Sequence, residues 1–190
     1  MRASLPLQII AVTALCLQGC VPLIIGAGVG AGVMVADDRR TSATMLEDQT
    51  IEIKAANLVK ERFGDDAQIG VTSFNRYVLL TGNAPSEEVK TDVGLLVLEV
   101  PNVRNIQNEL EVSGSGSLMS RGNDGLLSTR VKGRLVQNKE VGANHVKVVT
   151  ESGTVYLMGL VTRAEAEEAA QTAATTGGVE KVVKVFEYLD

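Results

Sequence analysis

The sequence has few of the residues that carry enzyme and metal chemistry. Its 190 residues include one histidine, two cysteines and no tryptophan. Zinc sites need several Cys, His or carboxylate ligands, and an activated Ser or Cys nucleophile needs a base beside it. His145 is the lone imidazole, and no Ser or Cys stands at a spacing that suggests a partner. We therefore predict no enzyme activity, no metal and no cofactor, and keep a hydrolase that depends on His145 as a nominal alternative.

Positive charge and aromatic residues are also scarce. Lysine and arginine total 18 against 23 aspartates and glutamates, and there are three Phe and three Tyr. General nucleic-acid binding needs clustered positive charge to neutralise phosphates, and single-strand binding adds aromatic side chains on which bases stack. The chain as a whole supplies neither, so we expect no nucleic-acid partner.

The first residues have the layout of an export signal. Arg2 is followed by an apolar run from about Leu5 to Leu17, which is too short to cross a bilayer comfortably. The run ends in Leu-Gln-Gly-Cys at 17–20, which resembles the lipobox of bacterial lipoproteins. The resemblance implies that residues 1–19 are a lipoprotein signal peptide. It also implies that Cys20 becomes the first mature residue, with acyl chains such as palmitate on its sulfur and nitrogen.

The lipobox interpretation accounts for both cysteines. Cys16 would be removed with the signal peptide and Cys20 would be blocked by lipid, so we expect no disulfide and no free thiol. Several acyl chains on one residue anchor firmly, since each buried methylene contributes about 0.8 kcal/mol. Residue 21 is Val and not Asp, which implies delivery to the periplasmic face of the outer membrane.

Residues 20–45 form the predicted lipidated N-terminus and Gly-rich tether. Within them Gly26, Gly28 and Ala31 match a G-x-G-x-x-A spacing. A dinucleotide-binding turn needs a strand before it, a helix after it and an acidic residue further on, within one βαβ unit. This stretch directly follows the lipidation site and lacks that context. We therefore interpret it as a membrane-proximal tether.

The rest of the chain contains an internal repeat. Residues 69–82 align without gaps on residues 146–159, and in both copies aliphatic and polar residues alternate on either side of a polar break. This alternation predicts a β-hairpin with one buried face. A further strand closes each copy, after Asn102 in the first and after Val179 in the second.

Two helices are predicted in each copy. The second helices begin near Ser86 and Thr162. The first helices carry an acidic residue suited to capping and then apolar residues four apart. These residues are Asp48, Ile51, Ala55 and Val59 in the first copy, and Asp124, Leu127, Val131 and Leu135 in the second.

The order helix, strand, strand, helix, strand predicts an α+β fold of two small αββαβ sandwich domains behind the signal peptide. We place the first domain at 46–112 and the second at 124–190. The Gly/Ser-rich residues 113–123 between them have the composition of a flexible linker.

The repeated pattern resembles the BON domain, which occurs in pairs behind a signal peptide in periplasmic and outer-membrane proteins. The match is carried by the hairpin strands that end in glycine, Val78–Gly82 and Val155–Gly159, and by Gly178-Val179-x-x-Val182 before the last strand. The first copy departs from the pattern at 100–103, where Val-Pro-Asn-Val replaces the Gly-Val pair.

The first helix of the second copy is locally basic. Between Arg121 and Lys139 there are five basic residues and one acid, which gives +4, whereas the matching segment Leu46–Arg62 has three basic residues and four acids, which gives −1. Leu126, Arg130 and Arg134 form a stripe beside the predicted core stripe. Such a stripe suits an anionic phospholipid surface, because Arg grips phosphate while Leu enters the acyl boundary. From the residues alone an ordinary solvated helix face is the favoured interpretation, because basic helix faces are common.

The resemblance to two-domain BON lipoproteins favours the membrane. It implies that this helix binds anionic phospholipid and that the protein supports outer-membrane integrity and concentrates at division sites. The implied lipid contacts are Leu126, Leu127, Arg130, Val131, Arg134 and Leu135. Relatives carry an aromatic residue in place of Leu126, and Trp is the better interfacial anchor. The alternative is an adaptor that binds envelope assembly proteins or peptidoglycan-remodelling enzymes.

Overall fold

The computed structural model describes residues 38–64, 68–112 and 118–190, with only the helical backbone described for 118–122. The predicted signal peptide, Cys20 and residues 113–117 of the predicted linker lie outside these ranges. Within them, no helix is both long enough and apolar enough to span a bilayer.

Domain 1 comprises the elements from α1 to β4. They are α1 Ser42–Phe63, β1 Gln68–Phe74, β2 Tyr77–Ala84, α2 Glu87–Leu98, β3 Asn105–Asn108 and β4 Glu111–Val112. The hairpin β1–β2 is antiparallel, and β3 and β4 both run parallel to β2. Here the predicted closing strand is split into two short pieces.

Domain 2 comprises α3 to β7. Its elements are α3 Leu118–Gln137, β5 Val146–Glu151, β6 Thr154–Val161, α4 Arg163–Ala174 and β7 Lys181–Tyr188. The sheet has the order β5-β6-β7, with β5 antiparallel and β7 parallel to β6. The order helix, strand, strand, helix, strand occurs in both domains, which confirms the predicted α+β fold class.

The helix starts differ from the predicted ones. α1 begins at Ser42, inside the predicted tether 20–45, and α3 begins at Leu118, inside the predicted linker 113–123. Thr41 is the N-cap of α1, and its hydroxyl oxygen accepts a hydrogen bond from the Thr44 amide at 3.1 Å. The prediction that Asp48 and Asp124 begin the helices is therefore wrong. Leu, Met and Arg are good helix formers, and at 118–121 they outweigh the glycine and serine that suggested a linker.

Both aspartates bind the turns of the hairpins instead. Asp48 accepts hydrogen bonds from the backbone amides of Asn75 and Arg76, and Asp124 accepts from those of Ser152 and Gly153, all at 2.7–3.0 Å. Each carboxylate is buried, so the turn amides supply the hydrogen bonds that water would otherwise donate to it. The first helix of each domain is thereby fixed on its own sheet.

The two sheets pack against each other. Along β6, Val155 and Leu157 face the helices of domain 2, whereas Tyr156 and Met158 face the other way and pack with Leu79 of β2. The remaining buried members of this interdomain cluster are Phe74 and Val185. Burial in this setting raises the pKa of Tyr156 to about 12, helped by nearby acidic residues. Each sheet therefore has helices on one face and the partner sheet on the other, so the helices of the two domains lie in opposite outer layers.

Candidate functional site

Three of the six residues expected to contact lipid belong to the core. Leu127, Val131 and Leu135 are at most 1% exposed and pack against the sheet of domain 2. Exposing one such side chain would forfeit about 1.5–3 kcal/mol of burial. Their inclusion as lipid contacts is therefore a wrong expectation, although their placement on one stripe facing the sheet is confirmed.

Arg134 is exposed, but its guanidinium is bound to α4. Its Nη1 donates hydrogen bonds to the carbonyl oxygen of Thr172 at 3.0 Å and to the hydroxyl oxygen of Thr176 at 2.9 Å. These groups lie in and just beyond the last turn of α4, where helix carbonyls lack partners and a cation is favourable. Asn138 adds hydrogen bonds to Glu168 and Thr172. Arg134 thus joins α3 to α4 and is less free for a phosphate than its sequence position suggests.

Leu126 and Arg130 remain at the surface, and the structure adds residues that the sequence stripe missed. Leu126 is 59% exposed and Val136 is 71% exposed. Together with Thr129 and Gly133 they follow the spacing i, i+3, i+7, i+10, which is one line along a helix. This spacing was the available signal, whereas the predicted stripe, with its basic residues four apart, follows a neighbouring line.

We call this line, with its two flanking cations Arg130 and Lys132, the α3 outer face. Both flanking side chains are exposed. Asp124, the single acid of α3, is buried against the turn of the hairpin. The α3 outer face therefore carries an uncharged centre, positive edges and no acid.

A groove between the domains adjoins the C-terminal end of this face. Lys132 and Val136 line it from α3, Lys147 lines it from β5, and Arg40 and Phe74 line it from domain 1. Lys147 Nζ also donates to Glu52 at 2.8 Å and to the carbonyl oxygen of Ser73 at 3.1 Å. Lys147 therefore ties β5 to domain 1 beside the end of α3.

His145 lies in a short 3-10 turn before β5, and its Nδ1 lies near a carboxylate that stabilises the fold. Its Nδ1 is 3.6 Å from Glu165 Oε1. Glu165 forms a capping box with Thr162 at the start of α4 and also accepts hydrogen bonds from Arg39, so this carboxylate serves the fold. In the described ranges, no cluster of three or more His, Cys, Asp or Glu side chains could hold a metal ion.

Comparison with known proteins gives consistent results. The BON domain family matches residues 52–114 and 123–190. The chain is 40% identical over 176 residues to the outer membrane lipoprotein DolP of Haemophilus influenzae, covering 92% of this chain and 91% of that protein. It is 34% identical over 154 residues to the 21 kDa hemolysin of Actinobacillus pleuropneumoniae, covering 80% and 79%.

Among solved structures, the C-terminal domain of CdsD, a structural protein of the type III secretion system of Chlamydia trachomatis, is 13% identical with a TM-score of 0.31. The match covers 77% of this chain and 98% of that one. The family assignment rests on the two domain matches and on the curated relatives. The chain belongs to the BON family and is a DolP-like, outer-membrane-associated BON lipoprotein with two BON domains.

Proposed function

We propose that the protein is anchored through Cys20 to the periplasmic face of the outer membrane and binds anionic phospholipid through the α3 outer face of domain 2. In this role it supports outer-membrane integrity, including at division sites, without catalysis. The observation that carries the proposal is the acid-free α3 outer face with its exposed Leu126 and Val136. Similarity to DolP supports the outer-membrane location.

The chemistry of the face suits the interface of a bilayer. Leu126 and Val136 can enter the acyl boundary, while Arg130 donates a fork of hydrogen bonds to a lipid phosphate. Each basic side chain near an anionic surface contributes about 1 kcal/mol. With two flanking cations and no aromatic anchor, the helix by itself binds weakly and its binding depends on salt.

Vesicle flotation tests the proposal directly. The mature chain with Cys20→Ala is mixed with phosphatidylglycerol vesicles, and the floated fraction is measured. We expect binding for this chain and its loss in Arg130→Glu with Lys132→Glu. Arg134 is left intact because its substitution would also break the contacts to α4.

A matched control is available in domain 1. Lys54 corresponds to Arg130 in the repeat and is exposed, as is Arg62 at the end of α1. Lys54→Glu with Arg62→Glu makes the same change in net charge on the other outer layer, and we expect it to keep most of the binding. The proposal is contradicted if the chain with the unmodified face does not bind the vesicles, or if both double variants lose binding to the same extent.

An adaptor role is the second candidate, and one observation on domain 1 favours it. Leu95 and Leu98 of α2 are 58% and 44% exposed, and Leu58 of α1, 37% exposed, lines a groove with Leu96 of α2. Such a cluster on an outer layer is typical of a protein contact. Cross-linking in cells distinguishes the roles. A stoichiometric partner that is lost with Leu95→Glu and retained with Arg130→Glu and Lys132→Glu supports the adaptor.

A further inference from the structure

The described chain starts at Asp38, and its first three residues contact both domains. Arg39 makes a two-pronged ion pair with Glu165 of α4: Nη1 donates to Oε2 and Nη2 to Oε1, each at 2.8 Å. Arg39 Nη1 also donates to the carbonyl oxygen of Leu160 at 2.8 Å. These contacts join residues more than 120 positions apart and tie the first described residues to domain 2.

Arg40 fixes the same segment to domain 1. Its guanidinium binds Asp38 and Asp48, with the Asp48 contact at 2.9 Å, and lies 3.8 Å from the centre of the Phe74 ring. Asp48 is the carboxylate that holds the hairpin turn, so Arg40 joins a buried hydrogen-bond network. Asp38–Arg40, which we call the clasp, therefore contacts both domains.

The clasp lies beside the α3 outer face. Arg40 lines the interdomain groove together with Lys132 and Val136. His145, which follows α3 in the chain, lies 3.6 Å from the Glu165 carboxylate that Arg39 binds. The clasp, which precedes α1 and follows the segment that carries Cys20, therefore lies near the C-terminal end of α3. The exposed Leu95 of domain 1 lies in the opposite outer layer.

The ion pair of the clasp persists over the pH range of the cell envelope. Hydrogen bonding by Arg39 is the largest cause that lowers the pKa of Glu165, to about 2. The carboxylate therefore stays ionised and paired at any pH well above that value. Mild acidification does not open the clasp.

We propose that the clasp positions the tether so that the α3 outer face docks on the same bilayer that carries the Cys20 lipid, with Arg39 as the positioning residue. The inference rests on the proposed function. The 17 residues between Cys20 and Asp38 span at most about 60 Å, and two attachments joined by a short connection bind far better than either alone. Because the Cys20 lipid holds the protein at the bilayer and the clasp lies beside α3, weak lipid binding by α3 is enough to dock domain 2 on the membrane.

The test uses the full lipoprotein with one added cysteine, since neither native cysteine is expected to be a free thiol in the mature chain. A fluorophore is placed at Val136→Cys or at Leu95→Cys, both exposed positions. The protein is reconstituted in phosphatidylglycerol-containing vesicles that carry a quencher on the lipid. We expect severalfold stronger quenching at position 136 than at position 95. Equal quenching at the two positions overturns the proposal.

Variants of Arg39 separate positioning from folding. Arg39→Glu places like charges at the clasp and is expected to lower the quenching at position 136, whereas Arg39→Lys keeps an ion pair and most of the quenching. Arg62→Glu is the control for charge at a distant surface, and circular dichroism confirms that each variant is folded. Unchanged quenching in Arg39→Glu, or equal losses in Arg39→Glu and Arg62→Glu, overturns the proposal.

Vesicles without phosphatidylglycerol separate this inference from the proposed function. If position 136 is quenched equally in both lipids and Arg39→Glu still lowers the quenching, anionic lipid recognition fails and the clasp stands. If quenching depends on phosphatidylglycerol but not on Arg39, the clasp fails and lipid binding stands.

Discussion

Domain 1 and domain 2 have the same element order, yet their helix pairs present different chemistry to the solvent. By the alignment that places Asp48 on Asp124, Leu58 corresponds to Arg134. In domain 2 this position joins the two helices through hydrogen bonds to α4. In domain 1 it leaves a groove between the helices, lined by Leu58 and Leu96 together with the charged Glu61 and Arg62. The comparison shows that the repeat keeps its core and its turns while its outer surfaces diverge, which suits different surfaces for lipid and for protein.

The hairpin turns give the largest expected difference between the domains. Asp48 accepts from two turn amides, from the buried Ser73 hydroxyl and from Arg40, and Asp124 accepts from the amides of its own turn. Asp48→Ala leaves two turn amides and the buried Ser73 hydroxyl without their acceptor and leaves Arg40 with Asp38 alone, so we expect a loss of about 3–5 kcal/mol. Asp124→Ala is expected to cost about 1.5–3 kcal/mol. Urea denaturation measures both, and equal losses would contradict the difference between the two turns.

The glycines at the ends of the hairpins come next. A Cβ at Gly82 would lie 2.0 Å from the carbonyl oxygen of Gln68, and one at Gly159 would lie 2.4 Å from that of His145. Gly82 also has φ +104°, which penalises any L side chain, whereas Gly159 does not. Gly82→Ala and Gly159→Ala are each expected to cost about 1–3 kcal/mol, with Gly82→Ala the more damaging. Thermal melts followed by circular dichroism would show this order, and the reverse order would refute the backbone argument.

A smaller effect is expected at the helix grooves. Arg134→Ala removes two hydrogen bonds between α3 and α4, and we expect a loss of about 1 kcal/mol with the α3 outer face left in place. Leu58→Ala in domain 1 removes a partly exposed side chain and is expected to cost less. If urea titrations show that Leu58→Ala loses more unfolding free energy than Arg134→Ala, Leu58 already packs within the chain and is not left open for a partner.

The smallest effect concerns acid. The second helix of domain 2 has a capping box with Glu165, whereas Val89 stands three residues after the N-cap Ser86 in domain 1. The folded-state pKa of Glu165 lies below its ordinary value, so its stabilisation is complete above about pH 5. It is lost as the pH falls toward 2. The melting temperature is expected to drop less over this range in Arg39→Ala than in the unmodified chain, and parallel curves would contradict the role of Arg39.

Much of the fold could be predicted because each repeat carries a periodicity that its core enforces. The stripes through Ile51 and Leu127 had to face a sheet, and they do. The hairpins were predicted to bury one face, but β2 and β6 are buried on both, because the second face packs against the partner sheet. That Asp48 and Asp124 bind the hairpin turns could not be predicted from the sequence. A carboxylate near the start of a helical pattern indicates an N-cap, and only the structure brings the turn, more than 20 residues further along the chain, next to it. The same limit applied to Arg134, whose partners on α4 lie about 40 positions further along the chain. Val136 was left out of the predicted stripe because that stripe was defined by basic residues four apart, and the exposure of Val136 is visible only in the structure.

A binding titration tests the central claim most directly. The mature chain with Cys20→Ala is titrated with vesicles of rising phosphatidylglycerol content at two salt concentrations. The α3 outer face predicts binding that increases with phosphatidylglycerol, weakens with salt and falls severalfold in Arg130→Glu with Lys132→Glu. Binding that is equal on zwitterionic vesicles, insensitive to salt and unchanged by these substitutions would contradict a lipid-binding role for domain 2.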